Sequence, residues 1–327
     1  KAVILAVIGK KSIAEGAHIA AAHIDSPRVD LKPNPLYESS EIALMKTHYY
    51  GGIRKYQWPT VPLSMHGVIV RKDGTEIDIN IGEKEGEPQF IITDLLPHLG
   101  REQSERKLGQ GIKGEELNVV VGSLPFKADS GSELVKLNIL KMLNDKYGIV
   151  EEDFLTAELE MVPAMKVTDI GFDRSLIGGY GHDDRVCAYP ELMAILELEE
   201  APEHTAVAVF ADKEETGSDG NTGLQSSYLR YFIADLARLE GLMGRDALSK
   251  SKCLSADVNA AFDPTFPSPF ETANSAYINK GIVVTKYTGS GGKGGTSDAS
   301  AEFVGEVARI FTAADVCWQM GELGAVD

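Results

Sequence analysis

Cysteine is scarce in this sequence. Cys187, Cys253 and Cys317 are its only three, widely separated and without a CxxC pair, which argues against a disulfide framework or a thiolate zinc site and fits a reducing, cytoplasmic setting. Basic residues are outnumbered, 32 against 49 acidic, for a formal charge of −17. That balance excludes nucleic acid and anionic membrane surfaces as natural partners, because both would be repelled. No apolar run approaches the roughly 18 residues a spanning helix needs, and the N-terminus lacks the form of a signal peptide. Histidine disappears after His204. What is present is a hydrophobic fraction of 43% over 327 residues, enough for a large core and more than one domain. The chain opens inside the strand-like KAVILAVI and closes at GELGAVD directly after an apolar run, so a longer natural protein is expected.

Strand and helix patterns alternate from residue 157 onward, as a mostly parallel sheet with covering helices requires. AELEMVP reads as a strand, DDRVCAYPELMAILELEE as an amphipathic helix, and HTAVAVFAD as a continuous apolar strand of the buried type. LQSSYLRYFIADLARLEG and SDASAEFVGEVARIFTAA read as further helices, with KCLSADV, GIVVTKY and VCWQM as strands. Residues 31–153 differ: proline and glycine punctuate alternating strands such as GVIVRKDGTEIDINIG, where Asp73-Gly74 marks a hairpin. The polar stretch 101–116 reads as an exposed loop, and residues 132–148 as a helix capped by Ser132 and stopped by Gly148. The expected fold class is α/β, a mostly parallel mixed sheet flanked by helices, with an inserted β-rich domain. A first catalytic part would span 1–30, the insertion 31–153, and a second catalytic part 154–327.

Acidic groups gather at the carboxyl ends of these strands: His23 with Asp25, Asp183 with Asp184, Glu214 with Glu215, and Asp257. In an open α/β sheet that edge collects ligands. In FADKEETGS two adjacent carboxylates follow a buried strand, where they repel one another unless a cation or proton holds them. Each cluster also has an ordinary reading. Glu-Glu pairs are common on solvated surfaces, Asp183, Asp184 or Asp257 could cap a helix or turn, and His23 could be a satisfied core histidine. Together they form the mixed nitrogen and oxygen set that zinc, cobalt or manganese accepts.

The four motifs AAHIDSPR, GHDDRVCAY, KEETGS and LSADV, in this order and with a β-rich insertion after the first, resemble the di-zinc aminopeptidases that include aspartyl aminopeptidase and vacuolar aminopeptidase I. The likeness runs through nearly the whole chain. It implies a zinc-peptidase fold with a dimerisation insertion, and two Zn2+ per subunit, with Co2+ or Mn2+ suited to the same ligands. It implies that His23 and Asp257 bind the first ion, Glu215 the second, and Asp184 bridges both. Glu214 matches the general base, and Asp25 the acid that orients the His23 imidazole, expected on the same side because strand side chains alternate. His66, in VPLSMHGVIV, resembles the histidine that reaches a neighbouring subunit's active site and steadies the oxyanion. Substrates would be peptides with a free N-terminus, and the assembly a homodimer building a dodecamer. The family's last metal-ligand histidine, near the C-terminus, has no counterpart after His204, which again points to a missing segment.

Two other readings compete. GSGGKG at 289–294 satisfies GxGxxG between a strand and a helix, but the acid expected about 20 residues on at the end of the next strand is lacking, as Asp315 precedes it. A substrate-side loop is the simpler account, with Lys280 and Lys286 as candidates for contacting an acidic substrate side chain. The other reading is a catalytically impaired homologue serving as a binding or scaffold subunit, which would neither hold two ions nor cleave.

Overall fold

The computed structural model describes residues 1–128, 130–288 and 292–325. The chain divides into two compact units, Lys1–Ala256 and Asp257–Asp327. The first opens with strands β1 (Val3–Val7) and β2 (His18–His23). Then come β3 (Arg28–Ser39), β4 (Ile42–Tyr50), β5 (Leu63–Val70), β6 (Glu76–Ile81), β7 (Ile91–Ile92), the single-turn helix α1 (Arg101–Ser104), β8 (Val119–Gly122), helix α2 (Leu134–Tyr147) and β9 (Glu158–Pro163). A small hairpin, β10 (Thr168–Ile170) and β11 (Leu176–Gly178), leads into α3 (His182–Leu196), β12 (Ala206–Ala211), α4 (Tyr228–Leu239), α5 (Gly244–Leu248) and β13 (Lys252–Ser255).

One sheet has the order β1-β12-β2-β13. β2 runs parallel to β12 and β13, while β1 is antiparallel to β12, so the sheet is mixed and mostly parallel, as the sequence predicts. Alternation along its strands sorts the side chains into two layers. Ile19, Ala21, Val207 and Val209 pack with Ile233, Ala237 and Ala247 of α4 and α5, while Ala22, Ala208 and Phe210 pack with Ala188 of α3. The small residues of β2 let helices approach both faces. Burying each larger apolar side chain here contributes about 1.5–3 kcal/mol.

Residues 28–163 form a second sheet of order β6-β5-β9-β3-β4-β8-β7. Its core includes Val29, Met45, Leu63, Ile69 and Met161, each at most 2% exposed, with Val135 of α2 packed among them. Pairing of β3 with β4 breaks between Leu31 and Leu36, where Pro33 and Pro35 have no N–H to give the ladder. β9 pairs with both β3 and β5, so the boundary expected at 153/154 falls ahead of a strand that belongs to this sheet. The β5–β6 hairpin turns at Asp73-Gly74, with Gly74 at φ +83° and the Asp73 carboxylate accepting the Thr75 N–H at 3.0 Å.

The start of α2 corrects an expectation. Ser132 does not cap it. Glu38 reaches over from β3 and accepts the N–H groups of Val135 and Lys136, each at 2.9 Å, placing a full negative charge at the positive end of the helix. Gly148 ends the helix as expected, in the left-handed region at φ +66°. Residues 101–116, expected as a loop, are largely exposed but carry α1 and two short 3-10 turns.

The second unit contains β14 (Ile282–Val284), α6 (Ala301–Ala313) and β15 (Trp318–Met320), with β14 and β15 parallel. The Ser300 hydroxyl caps α6 by accepting the Phe303 N–H at 3.3 Å. Of the glycine-rich stretch 289–294, residues 289–291 lie outside the described residues. Among the described residues, no helix is long and apolar enough to cross a membrane.

Candidate metal centre

The centre begins at the carboxyl end of β2. Parallel pairing sets Ala211, the last residue of β12, opposite His23, and the Ile24 N–H extends the ladder to the Ala211 carbonyl at 2.8 Å. The two strands therefore stop level, and the loops that follow them meet. After β12 the chain reverses within a few residues: Lys213 sits at φ +69°, Glu214–Thr216 form a single 3-10 turn, and Gly217 sits at φ +93°. This turn swings the Glu214 and Glu215 side chains back over His23.

His23 is 2% exposed. Its Nδ1 faces the Asp25 carbonyl oxygen at 2.9 Å and the Asp25 carboxylate at 3.3 Å. An N–H donated on that side leaves Nε2 as the ligand atom. Nε2 lies 2.9 Å from an Asp183 carboxylate oxygen and 3.7 Å from one of Glu214. The strand ends at His23, so strand alternation is not what brings Asp25 to the ring. Asp25 lies in the irregular segment 24–27 beyond the strand, where its backbone and its carboxylate both face the imidazole.

Asp25 is the fixed point of this arrangement. Its carboxylate accepts the Tyr50 hydroxyl at 2.6 Å and the backbone N–H groups of Glu214 and Glu215 at 3.2 and 3.3 Å. Burial alone would raise its pKa. The hydrogen bonds from His23, Tyr50 and the two N–H groups outweigh that and hold it at about 2.

The charges around His23 are mutually frustrated without a cation. Burial works against the imidazolium, but Asp25, Glu214 and Asp183 together push the His23 pKa up to about 10. Glu215 moves up to about 7, first through burial and then through repulsion from Asp183 and Glu214. One ligand atom each from His23, Glu214 and Glu215 lies within 4.8 Å of the others. An imidazole nitrogen with carboxylate oxygens is a donor set that zinc accepts, and a divalent charge would relieve the crowding that raises the His23 and Glu215 pKa values. The residues present thus fit a zinc ion.

The other candidates fall as follows. Asp184 is wholly buried at the start of α3, where both it and Asp183 depart from helical geometry and the peptide between them is cis. Asp183 is the member of this pair that touches the His23 ring. Glu191, about two turns further along α3, has its pKa raised to about 7 by burial and by Asp184. His66, on β5, has Nε2 at 3.1 Å from Glu83 and 3.0 Å from the Ser64 hydroxyl. It lines a cavity of about 670 Å3 together with Asp25, Arg28, Glu160, Tyr180 and Arg185. Asp257 opens the second unit. In that unit Lys280 is exposed ahead of β14, and Lys286 lies 4.0 Å from Asp298. The contacts of Asp183 and Tyr50 escaped the sequence reading. For Asp183 the doubled aspartate was a signal that did not say which member faces the histidine, and for Tyr50 no signal existed.

Comparison with known proteins gives a consistent set of matches. The family model described as aminopeptidase I zinc metalloprotease (M18) matches residues 1–327. A probable M18 family aminopeptidase 1 of Clostridium acetobutylicum is 51% identical over 331 residues, covering 100% of this chain and 71% of the relative. The crystal structure of aminopeptidase I from Clostridium acetobutylicum superposes with a TM-score of 0.95 at 50% identity, covering 100% of this chain and 71% of that one. The S. cerevisiae mApe1 dodecamer shares the fold, with a TM-score of 0.76 at 17% identity over 99% of this chain and 72% of that one.

Proposed function

Because the chain belongs to the aminopeptidase I zinc metalloprotease family (M18), we propose that it releases N-terminal amino acids from peptides by two-metal hydrolysis, with Glu214 as general base. The observation that carries this reading is the convergence of His23, Glu214 and Glu215 ligand atoms within 4.8 Å at the carboxyl end of parallel strands. By the resemblance Asp257 would join His23 on one zinc and Glu215 would take the other, with Asp184 serving both; of the 183–184 pair, Asp183 is the member whose carboxylate reaches the His23 ring, at 2.9 Å. Zinc held there supplies Lewis acidity toward the scissile carbonyl and the attacking water.

The chain's own groups divide the remaining work. Asp25 keeps the His23 Nδ1 side occupied and, through the two N–H groups it accepts, holds the Glu214–Glu215 backbone in place. Glu214 keeps 42% of its side chain exposed, as suits a base that takes a proton from water and returns one to the departing amine. His66, reaching a neighbouring subunit, would stabilise the oxyanion. Dimerisation through the β-rich sheet, building toward a dodecamer like that of mApe1, would then be part of the mechanism.

The test is hydrolysis of an aminoacyl-nitroanilide panel by the full-length protein, with zinc present and after chelation. Turnover should vanish on chelation and return with metal. Glu214→Gln should retain zinc and lose about 10²–10⁴-fold in kcat. Undiminished turnover would remove Glu214 from the role of base, and a protein that neither holds zinc nor cleaves would be the scaffold homologue.

A further inference from the structure

The end of β4 brings its last residue, Tyr50, and the following Gly51 against the metal-centre loops. Tyr50 is 7% exposed, and its hydroxyl donates to the Asp25 carboxylate at 2.6 Å. Its ring is held flat: the Arg28 guanidinium lies 3.7 Å from the ring centroid, and Arg28 is itself fixed by Asp30 at 2.7 Å and by Glu160. Tyr50 therefore has little freedom to follow Asp25 if that carboxylate moves.

The next residue acts on a different member of the centre. Gly51 sits at φ +78°, and a Cβ there would stand 3.0 Å from a Glu215 carboxylate oxygen and 3.1 Å from the Glu215 Cβ. Glycine leaves the space the Glu215 side chain occupies. Adjacent residues of one strand end thus hold one carboxylate and shape the seat of another.

We propose that Tyr50 and Gly51 are positioning residues through which the inserted sheet sets the geometry of the metal centre. Tyr50 locks the Asp25 carboxylate, and with it the His23 ring and the 214–215 backbone, while Gly51 admits the Glu215 carboxylate to its ligand position. This rests on reading the His23, Glu214 and Glu215 cluster as the metal centre. It gives the insertion a role inside its own subunit, separate from any contribution across a dimer.

Tyr50→Phe removes one oxygen and keeps the ring beneath Arg28, which makes it the informative variant. Tyr49→Phe is the control, since Tyr49 is 42% exposed on the same strand. In the full-length protein, zinc affinity is measured by chelator competition, alongside kcat and KM on a nitroanilide substrate and the unfolding temperature of the metal-free form. Tyr50→Phe should bind zinc about tenfold more weakly and lose kcat with KM unchanged, the low end of the scale for a direct partner of a metal ligand, because Asp25 stands between Tyr50 and His23. Tyr49→Phe should match the parent. Gly51→Ala should also weaken zinc binding. If the parent binds zinc and Tyr50→Phe binds it within twofold with unchanged kcat, the positioning role is refuted while the metal centre stands. A parent that binds no zinc refutes the metal centre itself.

Discussion

Zinc binding to the metal-free protein should release protons in a number that depends on pH. Ligation requires an unprotonated imidazole nitrogen and ionised carboxylates, whereas the metal-free site stabilises their protonated forms. With its pKa pushed up to about 10, His23 carries close to one proton throughout the neutral range. Glu215, at about 7, carries about 0.9 of a proton near about pH 6 and about 0.1 near about pH 8. Loading both ions should therefore expel about 1.9 protons in total at the lower pH and about 1.1 at the higher. The sign follows: protons compete with the metal, so affinity rises with pH. Integrating the two titrations, the ion held by His23 gains about a hundredfold and the ion held by Glu215 about tenfold, so overall binding of the pair tightens about thousandfold across that interval. Calorimetry in buffers of different ionisation enthalpy counts the protons, and chelator competition measures the affinity. A proton count that is the same at both pH values, or an affinity indifferent to pH, would refute the reading of a crowded, cation-seeking centre.

Two further outcomes test other parts of the structure. Met161 is fully buried on β9 between β3 and β5, so Met161→Ala should cost about 2–5 kcal/mol in urea-induced unfolding; a change under about 1 kcal/mol would mean that strand is not central to the core. His66→Ala should lower kcat by about 10²–10³-fold, the scale of one lost oxyanion donor, with zinc content unchanged; unaltered turnover would release His66 from that role.

Much of the fold could be read from local pattern. Val207, Val209 and Phe210 belong to a continuous apolar run because both faces of β12 are covered, and such a run reads as buried strand at any length of view. Asp73-Gly74 announces its hairpin because the turn chemistry is local. The α2 cap could not be read this way: Ser132 has the preferred side chain, but Glu38, nearly a hundred residues earlier, arrives first. Likewise β9 resembles the strands of the α/β part and joins the other sheet, a choice made by its pairing with β3 and β5.

The sequence by itself determined which residue types crowd one edge of the sheet, since His23, Asp183, Glu214 and Glu215 each follow a strand or precede a helix whose period is visible. It also determined the family, because four motifs in fixed order are a one-dimensional property. Only the tertiary structure decided that Asp183 faces the His23 ring, that Asp25 approaches it from beyond the strand end, and that Tyr50 and Gly51 hold Asp25 and accommodate Glu215. Those are contacts between segments apart in the chain, fixed by the level ends of β2 and β12 and by the end of β4 meeting the loops that follow them, and no local period or propensity encodes such a distance.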